Sequence, residues 1–355
     1  MQVTSDVFVV AVSSLTHVGM LGTELGRRLV RGELSAIGPV DVPAPSRPDE
    51  IRQRKLMSKA AWMAAIVMRD ALSVAQWSDR RDEIGAYFGV GASGAEMDDV
   101  ARLIGASLDE QKKFTLARCG KEGLDASNPL FAFQIMNNFT LCHGSILEGL
   151  AGPNAAIFSR GMGTVVALEE ACLALLEGEC SRAIVGGADT ATHPVTLAEL
   201  EREDFLRDGL VPVDGAAAIA LAKEADVPLG RVESIWVWPV ERPRDALLPR
   251  IGVFRDAVLM ACADALAEHP CDLLVLAPWG SPAREVMREL PEALAIKQSV
   301  DLTNLLGESL AATPAIAWVA ALGMLVETGG KRALVLTAGP DGDLGAVVLT
   351  RGGAR

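Results

Sequence analysis

Aromatic residues are scarce in this sequence: one tyrosine, six tryptophans and nine phenylalanines, 5% of 355 residues. Abundant Ala, Val, Leu and Gly take their place, and these suit layered helices and strands in close contact. Positive charge is short as well. A formal net charge of −13 argues against nucleic acid, whose phosphates would be repelled, and against an anionic membrane surface. Histidine is limited to four residues, and the six cysteines (Cys119, Cys142, Cys172, Cys180, Cys262 and Cys271) form neither a CxxC pair nor a cluster with them. No metal site is expected from that spacing, and the cysteines read as buried free thiols of a reducing cytoplasm. No basic stretch precedes the first apolar run, so no secretory signal is read and the cytoplasm is the expected location. The longest apolar segment, Leu310 to Val326, falls short of the roughly 20 residues of a membrane span. It contains Pro314 and is bracketed by Glu308 and Glu327, so it reads as a buried core helix.

What is present is ample hydrophobic material: half of the residues, enough for one large domain or two fused halves. Strands and helices alternate along the N-terminal part. Val7 to Val12 and Ile84 to Gly91 read as buried strands. Leu21 to Arg31 and Leu56 to Ala75 read as helices, and the stretch from Pro43 begins as a loop. Asn128 to Leu150 is partly helical and apolar. In the C-terminal part Phe254 to Ala267 and Ser309 to Leu325 read as helices. Asp272 to Ala277, Ala333 to Leu336 and Gly345 to Leu349 read as strands. Continuous apolar strands separated by helices imply sheets covered on both faces. The join is expected within Asp226 to Arg250, a stretch with Pro228, Pro239, Pro243 and Pro249 beside Trp236 and Trp238. This divides the chain into halves 1–225 and 226–355.

The centre is the most informative part. Ala155 to Phe158 reads as a short strand, Ser159 to Gly163 as a tight turn, and Thr164 to Leu176 as a helix. Leu168, Cys172, Leu175 and Leu176 fall on one face of that helix, and Gly178 stops it. Strand, sharp turn and helix make an elbow that presents one residue at the positive end of a helix dipole.

The segment from Gly152 to Asp189 resembles the heart of a β-ketoacyl synthase. Gly152-Pro153, Val166-Ala167-Leu168, Ala171-Cys172, Gly178-Glu179-Cys180 and Gly186-Gly187 match that family without a gap. Asn137, Gly144, Ser145 and Gly149 are similar to its dimer-interface segment. Arg207 to Val211, followed by Asp214-Gly215-Ala216, resembles another of its stretches. The resemblance implies an α/β, thiolase-like fold, in which two similar halves form a layered α-β-α-β-α sandwich.

The departures bear on function. The family's elbow residue is a cysteine whose thiolate takes an acyl chain from a carrier protein; the gapless match puts Gly161 there. Of its two histidines, which assist decarboxylation and stabilise the enolate, the first is matched by Trp279 and the second by Glu308. Thr303 stands for a lysine, and the loop lining the oxyanion hole has become Gly339-Pro340-Asp341-Gly342-Asp343. No catalytic residue is therefore assigned, and neither cofactor nor metal is expected.

Ser159 and Ser309 lie beside the altered positions, but a serine needs a base and no histidine aligns near either. They read as a turn hydroxyl and a helix-start residue. His143 reads as a hydrogen-bonded structural residue in the interface-like segment, and His17, His193 and His269 as isolated. Phe131, Phe133, Met136 and Phe139 read either as core or, as the resemblance implies, as residues at a dimer interface that limit an acyl tunnel by filling it. Lys112, Lys113, Arg118 and Lys121 form a basic run, read as a solvated face or a contact for an acidic carrier protein.

The chain is most similar to a chain-length factor, the ketosynthase-β subunit of type II polyketide synthases. That resemblance implies a subunit without independent activity. It would pair with a catalytic ketosynthase-α as a heterodimer and meet acyl carrier protein mainly through that partner. Alternatives are a repurposed acyltransferase or cyclase with a new nucleophile, and a structural scaffold for carrier protein.

Overall fold

The structure, a computed structural model, describes residues 2–92, 94–238, 251–266, 269–340 and 343–352. Pro239, Pro243, Pro249, Asp341 and Gly342, singled out above, lie outside the described residues. In chain order the strands are β1 (Gln2–Thr16), β2 (Gly19–Leu21), β3 (Gly85–Val90), β4 (Asn154–Phe158), β5 (Arg182–Asp189), β6 (Gly215–Ala222), β7 (Gly230–Trp238), β8 (Leu273–Pro278), β9 (Gln298–Asp301), β10 (Arg332–Ala338) and β11 (Leu344–Arg351). Every strand expected from the sequence is present; β3 is shorter than expected, β8 is shifted by one residue, and the others are longer.

Hydrogen bonding joins ten strands in the order β4-β3-β5-β6-β1-β7-β11-β10-β8-β9, with β2 hairpinned onto β1. The order is palindromic. Without β2, each half taken in its own sequence order reads third, second, fourth, fifth, first from the outside inwards. The directions repeat too. β3 pairs parallel with β4 and β5, as β8 does with β9 and β10; the remaining pairs are antiparallel. β1 and β7 join the halves, pairing from Gln2↔Trp236 to Val9↔Gly230. The internal similarity is thus plain in strand topology, whereas the residues themselves show no repeat.

Side-chain alternation along these strands builds the layers, because successive residues face opposite sides of a sheet. On β5, Ala183 and Val185 enter a central core, while Ile184 and Ala188 enter a second one under helix Lys59–Val74. On β10, Ala333 and Val335 enter the same central core, while Leu334 and Leu336 face a third, shared with Phe254 and Val258 of helix Ile251–Leu266. Both faces of each half-sheet are covered, which explains the continuous apolar runs.

Two helices fill the central layer: Met162–Glu177, which follows the elbow, and Thr313–Thr328. The membrane-length stretch Leu310–Thr328 is 89% buried, as expected of a core helix. Helix Glu24–Arg31 crosses it where Gly26 meets Gly323. A Cβ on Gly26 would overlap the Met324 nitrogen, and one on Gly323 would overlap the Thr23 carbonyl.

Candidate functional site

Gly161 is the residue before helix Met162–Glu177, at φ 136° and ψ −67°. That conformation belongs to glycine, since an L side chain there meets its own backbone. The turn is tied by the Ser159 Oγ accepting from the Gly163 N–H (3.0 Å) and by the Gly161 carbonyl accepting from the Thr164 N–H (3.1 Å). Ser159 is therefore a turn hydroxyl. A Cβ built on Gly161 would stand 3.2 Å from Gly339 Cα and 3.9 Å from the Leu310 carbonyl oxygen. The residue matched to the cysteine, the altered closing loop and the start of the second central helix thus meet at one point.

The other altered positions, Trp279, Glu308 and Thr303, are buried as well. Trp279 is buried and sets its ring edge-on to Phe205, with centroids 5.1 Å apart. The Arg160 guanidinium lies 5.3 Å from the other ring, that of Phe205, and pairs with Glu203 at 2.7 Å. A continuous stack, Arg160–Phe205–Trp279, therefore links the neighbour of Gly161 to the residue matched to the first histidine. Arginine over an aromatic face and edge-to-face rings each add stability beyond burial.

Glu308 is buried, and its Oε1 accepts a hydrogen bond from the Thr313 hydroxyl at 2.6 Å. Among the described residues no well-formed hydrogen bond reaches its Oε2, although the Leu310 backbone lies close enough to favour the charged form. Burial pushes the Glu308 carboxyl up to about 8, with nearby Asp189 adding to the rise. Asp189, at the end of β5, is fully buried and accepts from the Ala311 N–H (3.2 Å) and the Thr190 N–H (2.8 Å). Burial raises it to about 7, against those two hydrogen bonds and with a further upward push from Asp214. Glu308, the residue matched to the second histidine, is thus a buried carboxyl whose protonated form is favoured at neutral pH, with the buried Asp189 beside it. Only its ionised form, present at high pH, would repel a developing enolate.

Thr303, matched to the lysine, is buried and donates to the Pro278 carbonyl at 2.7 Å. It also accepts from Arg284 at 3.3 Å, and Arg284 pairs with Asp301 at 2.6 Å. The structure thus gives Thr303 a bracing role for the loop that carries Trp279. Ser309 is buried, and its backbone N–H donates to the Thr313 hydroxyl at 2.8 Å. No histidine is hydrogen-bonded to either serine hydroxyl among the described residues.

The aromatic candidates lie apart from this centre, on helices Phe131–Ile135 and Phe139–Glu148. The Phe133 and Phe139 rings meet edge-on at 5.1 Å, and Phe139 lies 5.2 Å from His143. Phe133 and Met136 are exposed, Phe131 and Phe139 are half-buried, and none of the four belongs to the three cores. Ile135, Ile146 and Phe158 extend the exposed apolar surface. His143 is buried, and burial lowers its basicity, opposed by a hydrogen bond to the backbone of Leu56. In the basic run Lys112, Lys113 and Lys121 are exposed, and Arg118 pairs with Glu122 at 3.4 Å.

One expectation is corrected: His193 is not isolated. Its Nδ1 caps helix Pro194–Arg202 by accepting from the Val195 N–H (3.3 Å), and its Nε2 donates to the Ala95 carbonyl (3.0 Å). Sequence reasoning passed over Asp189, Arg160 and Phe205. The charged end of the otherwise apolar run Arg182–Asp189 was the one available signal for Asp189; the other two gain meaning only from the fold.

The β-ketoacyl synthase N-terminal domain model matches residues 46–226, just over half of the chain. The non-reducing polyketide synthase azaA of Aspergillus niger is 29% identical over 130 residues, 31% of this chain. This chain's match spans about 5% of that much longer protein. Among solved structures, the ketosynthase of a type II polyketide synthase bound to its acyl-carrier protein and a hexaketide, AntDE:AntF, aligns with a TM-score of 0.76 at 14% identity. That alignment covers 98% of this chain and 100% of the other. The ishigamide ketosynthase/chain length factor aligns with a TM-score of 0.71 at 18% identity, covering 98% and 100%. These likenesses establish a ketosynthase-like, thiolase-type fold.

Proposed function

We propose, from the premise that this chain belongs to the β-ketoacyl synthase family, that it is a non-condensing subunit of the chain-length-factor kind. It pairs with a catalytic ketosynthase, which supplies the cysteine and both histidines. This chain contributes half of the interface and part of the wall that limits the growing polyketide. Acyl carrier protein reaches the pair mainly through the catalytic partner. We place the boundary between the two halves of the chain at residues 225 and 226.

The observation that carries this reading is Gly161. It offers no side chain to acylate, and its φ of 136° is one that a cysteine rarely adopts. The elbow has been rebuilt around glycine, beyond the loss of one thiol. The Arg160–Phe205–Trp279 stack supports the same reading, since it fills space beside the elbow with side chains that have no nucleophilic or basic role. The exposed apolar side chains of Phe133, Ile135, Met136 and Ile146, close in sequence on and beside helices Phe131–Ile135 and Phe139–Glu148, support pairing, because exposed large apolar side chains mark interaction sites.

Co-expression with a ketosynthase that retains its cysteine tests the proposal. The two chains are expected to co-purify, and this chain alone is expected to aggregate. A stable homodimer of this chain that condenses malonyl and acyl carrier substrates by itself overturns the reading. Gly161→Cys is expected to restore neither acylation nor condensation. Labelling of Ser159 or Ser309 by an acyl-carrier substrate probe would instead favour a repurposed acyltransferase. In the working pair, Phe133→Ala is expected to lengthen products or broaden their range; an unchanged product profile removes Phe133 from the chain wall.

A further inference from the structure

Residues 97–127 are built inside out. The buried residues among them are Asp99, Ser107, Gly123 and Ser127, none with a large apolar side chain. Met97, Ile104, Phe114, Leu116 and Leu124 are exposed, Leu116 to 82%. Among the described residues, none from 97 to 136 belongs to any of the three cores. Helix Met97–Ala106 packs on the turns Cys119–Gly123 and Leu124–Ala126, so the stretch folds back on itself. Polar contacts close it. The Thr115 N–H donates to the Ser107 carbonyl (3.0 Å), the Ser107 hydroxyl to the Leu103 carbonyl (2.5 Å) and the Ser127 hydroxyl to the Leu124 carbonyl (2.9 Å).

Large apolar side chains outside and small or polar ones inside are the reverse of a self-sufficient segment, and mark a surface that another protein covers. The stretch runs directly into helices Phe131–Ile135 and Phe139–Glu148, whose exposed apolar side chains support pairing. The two regions are neighbours in space as well, because Met97 and Asp98 line one cleft with Gln134 of helix Phe131–Ile135. Those two helices hold five and ten residues, whereas a specific interface engages about 20–30 residues a side. A pairing surface limited to them is too small, and the inside-out stretch beside them makes up the difference. Charge separates this occupant from a carrier protein. Within residues 97–127 five Lys and Arg stand against six Asp and Glu, so an acidic protein finds no net attraction there.

We infer that residues 97–127 are a docking arm for the catalytic ketosynthase, which covers Phe114, Leu116 and Leu124 and supplies the apolar packing that the arm lacks. The inference rests on the pairing proposed above and extends the interface beyond the two helices named there. A segment with so few buried apolar contacts of its own belongs to the low-stability end of the chain until it is covered.

Photo-crosslinking in the co-expressed pair tests it, with benzoylphenylalanine placed at position 116. Irradiation is expected to join this chain to the ketosynthase. The same crosslinker at position 227, where Val227 is 86% exposed, is expected to leave the two chains unjoined. The double variant Phe114→Glu/Leu116→Glu is expected to weaken pairing at least about ten-fold in sedimentation, at an unchanged circular dichroism spectrum, since both side chains are exposed in this chain. Should that variant fold poorly, Leu116→Ser is the substitute, with a loss of about three-fold. Full affinity in a folded variant overturns the inference and leaves the pairing reading standing. So does an adduct from position 116 to carrier protein, to a second copy of this chain or to nothing. Failure of the wild-type chains to pair overturns both.

Discussion

Glu308, the residue that the sequence match sets against an imidazole, is a buried carboxyl. Burial holds its folded-state pKa near 8 and that of Asp189 near 7, both above the values of an unfolded chain. Between pH 4 and 8 the folded state therefore binds more protons than the unfolded one. The stability these groups contribute is complete below pH 4 and is lost as pH rises through 7 to 8. Glu308→Gln removes the carboxylate, while its carbonyl still accepts from Thr313 and its amide replaces Oε2. The variant is expected to melt higher than the parent at pH 9 and to match it at pH 5. A Tm series over that range checks this, and parallel curves for the two proteins count against a buried, titrating Glu308. Gly161 makes a second prediction at this scale. Gly161→Ala places a Cβ at φ 136° and 3.2 Å from Gly339, so a loss of about 1–3 kcal/mol in denaturant melts is expected.

At the scale of elements, the crossing of helices Glu24–Arg31 and Thr313–Thr328 shows how small residues set the geometry. Helix Glu24–Arg31 approaches helix Thr313–Thr328 so closely that each contributes a glycine to the crossing. Gly323→Ala forces the backbones apart in a core where Trp318, Leu322 and Leu325 are fully packed. Overpacking of that kind costs about 1–3 kcal/mol. Chemical denaturation should show this loss for Gly323→Ala. An unchanged midpoint would mean that the crossing relaxes freely. Both helices were legible in the sequence, within Leu21 to Arg31 and Ser309 to Leu325. Their mutual contact was not legible, because it is made between residues about 300 positions apart.

At the scale of the molecule, the palindromic sheet leaves β4 at one edge, next to the apolar surface on Met136, Ile146 and Phe158. Ile146 is 62% exposed and Met136 47%, so charge at these positions does little to the folded chain itself. The pair Met136→Glu/Ile146→Glu is expected to abolish co-purification with a catalytic ketosynthase while leaving the circular dichroism spectrum intact. Retained pairing would place the interface elsewhere.

The order of strands and helices and the elbow turn at Gly161 could be read from the sequence. Each rests on local signals: apolar periodicity, glycine punctuation and a gapless run of matched residues. Only the tertiary structure decided that Arg160, Phe205 and Trp279 stack into one wall, that Asp189 and Glu308 are buried near one another, and that the two halves repeat one topology. Those facts depend on pairings between distant segments and on which groups lose their water when the layers close. A linear pattern does not encode the distance between two side chains, and that distance sets both the burial and the charge state here.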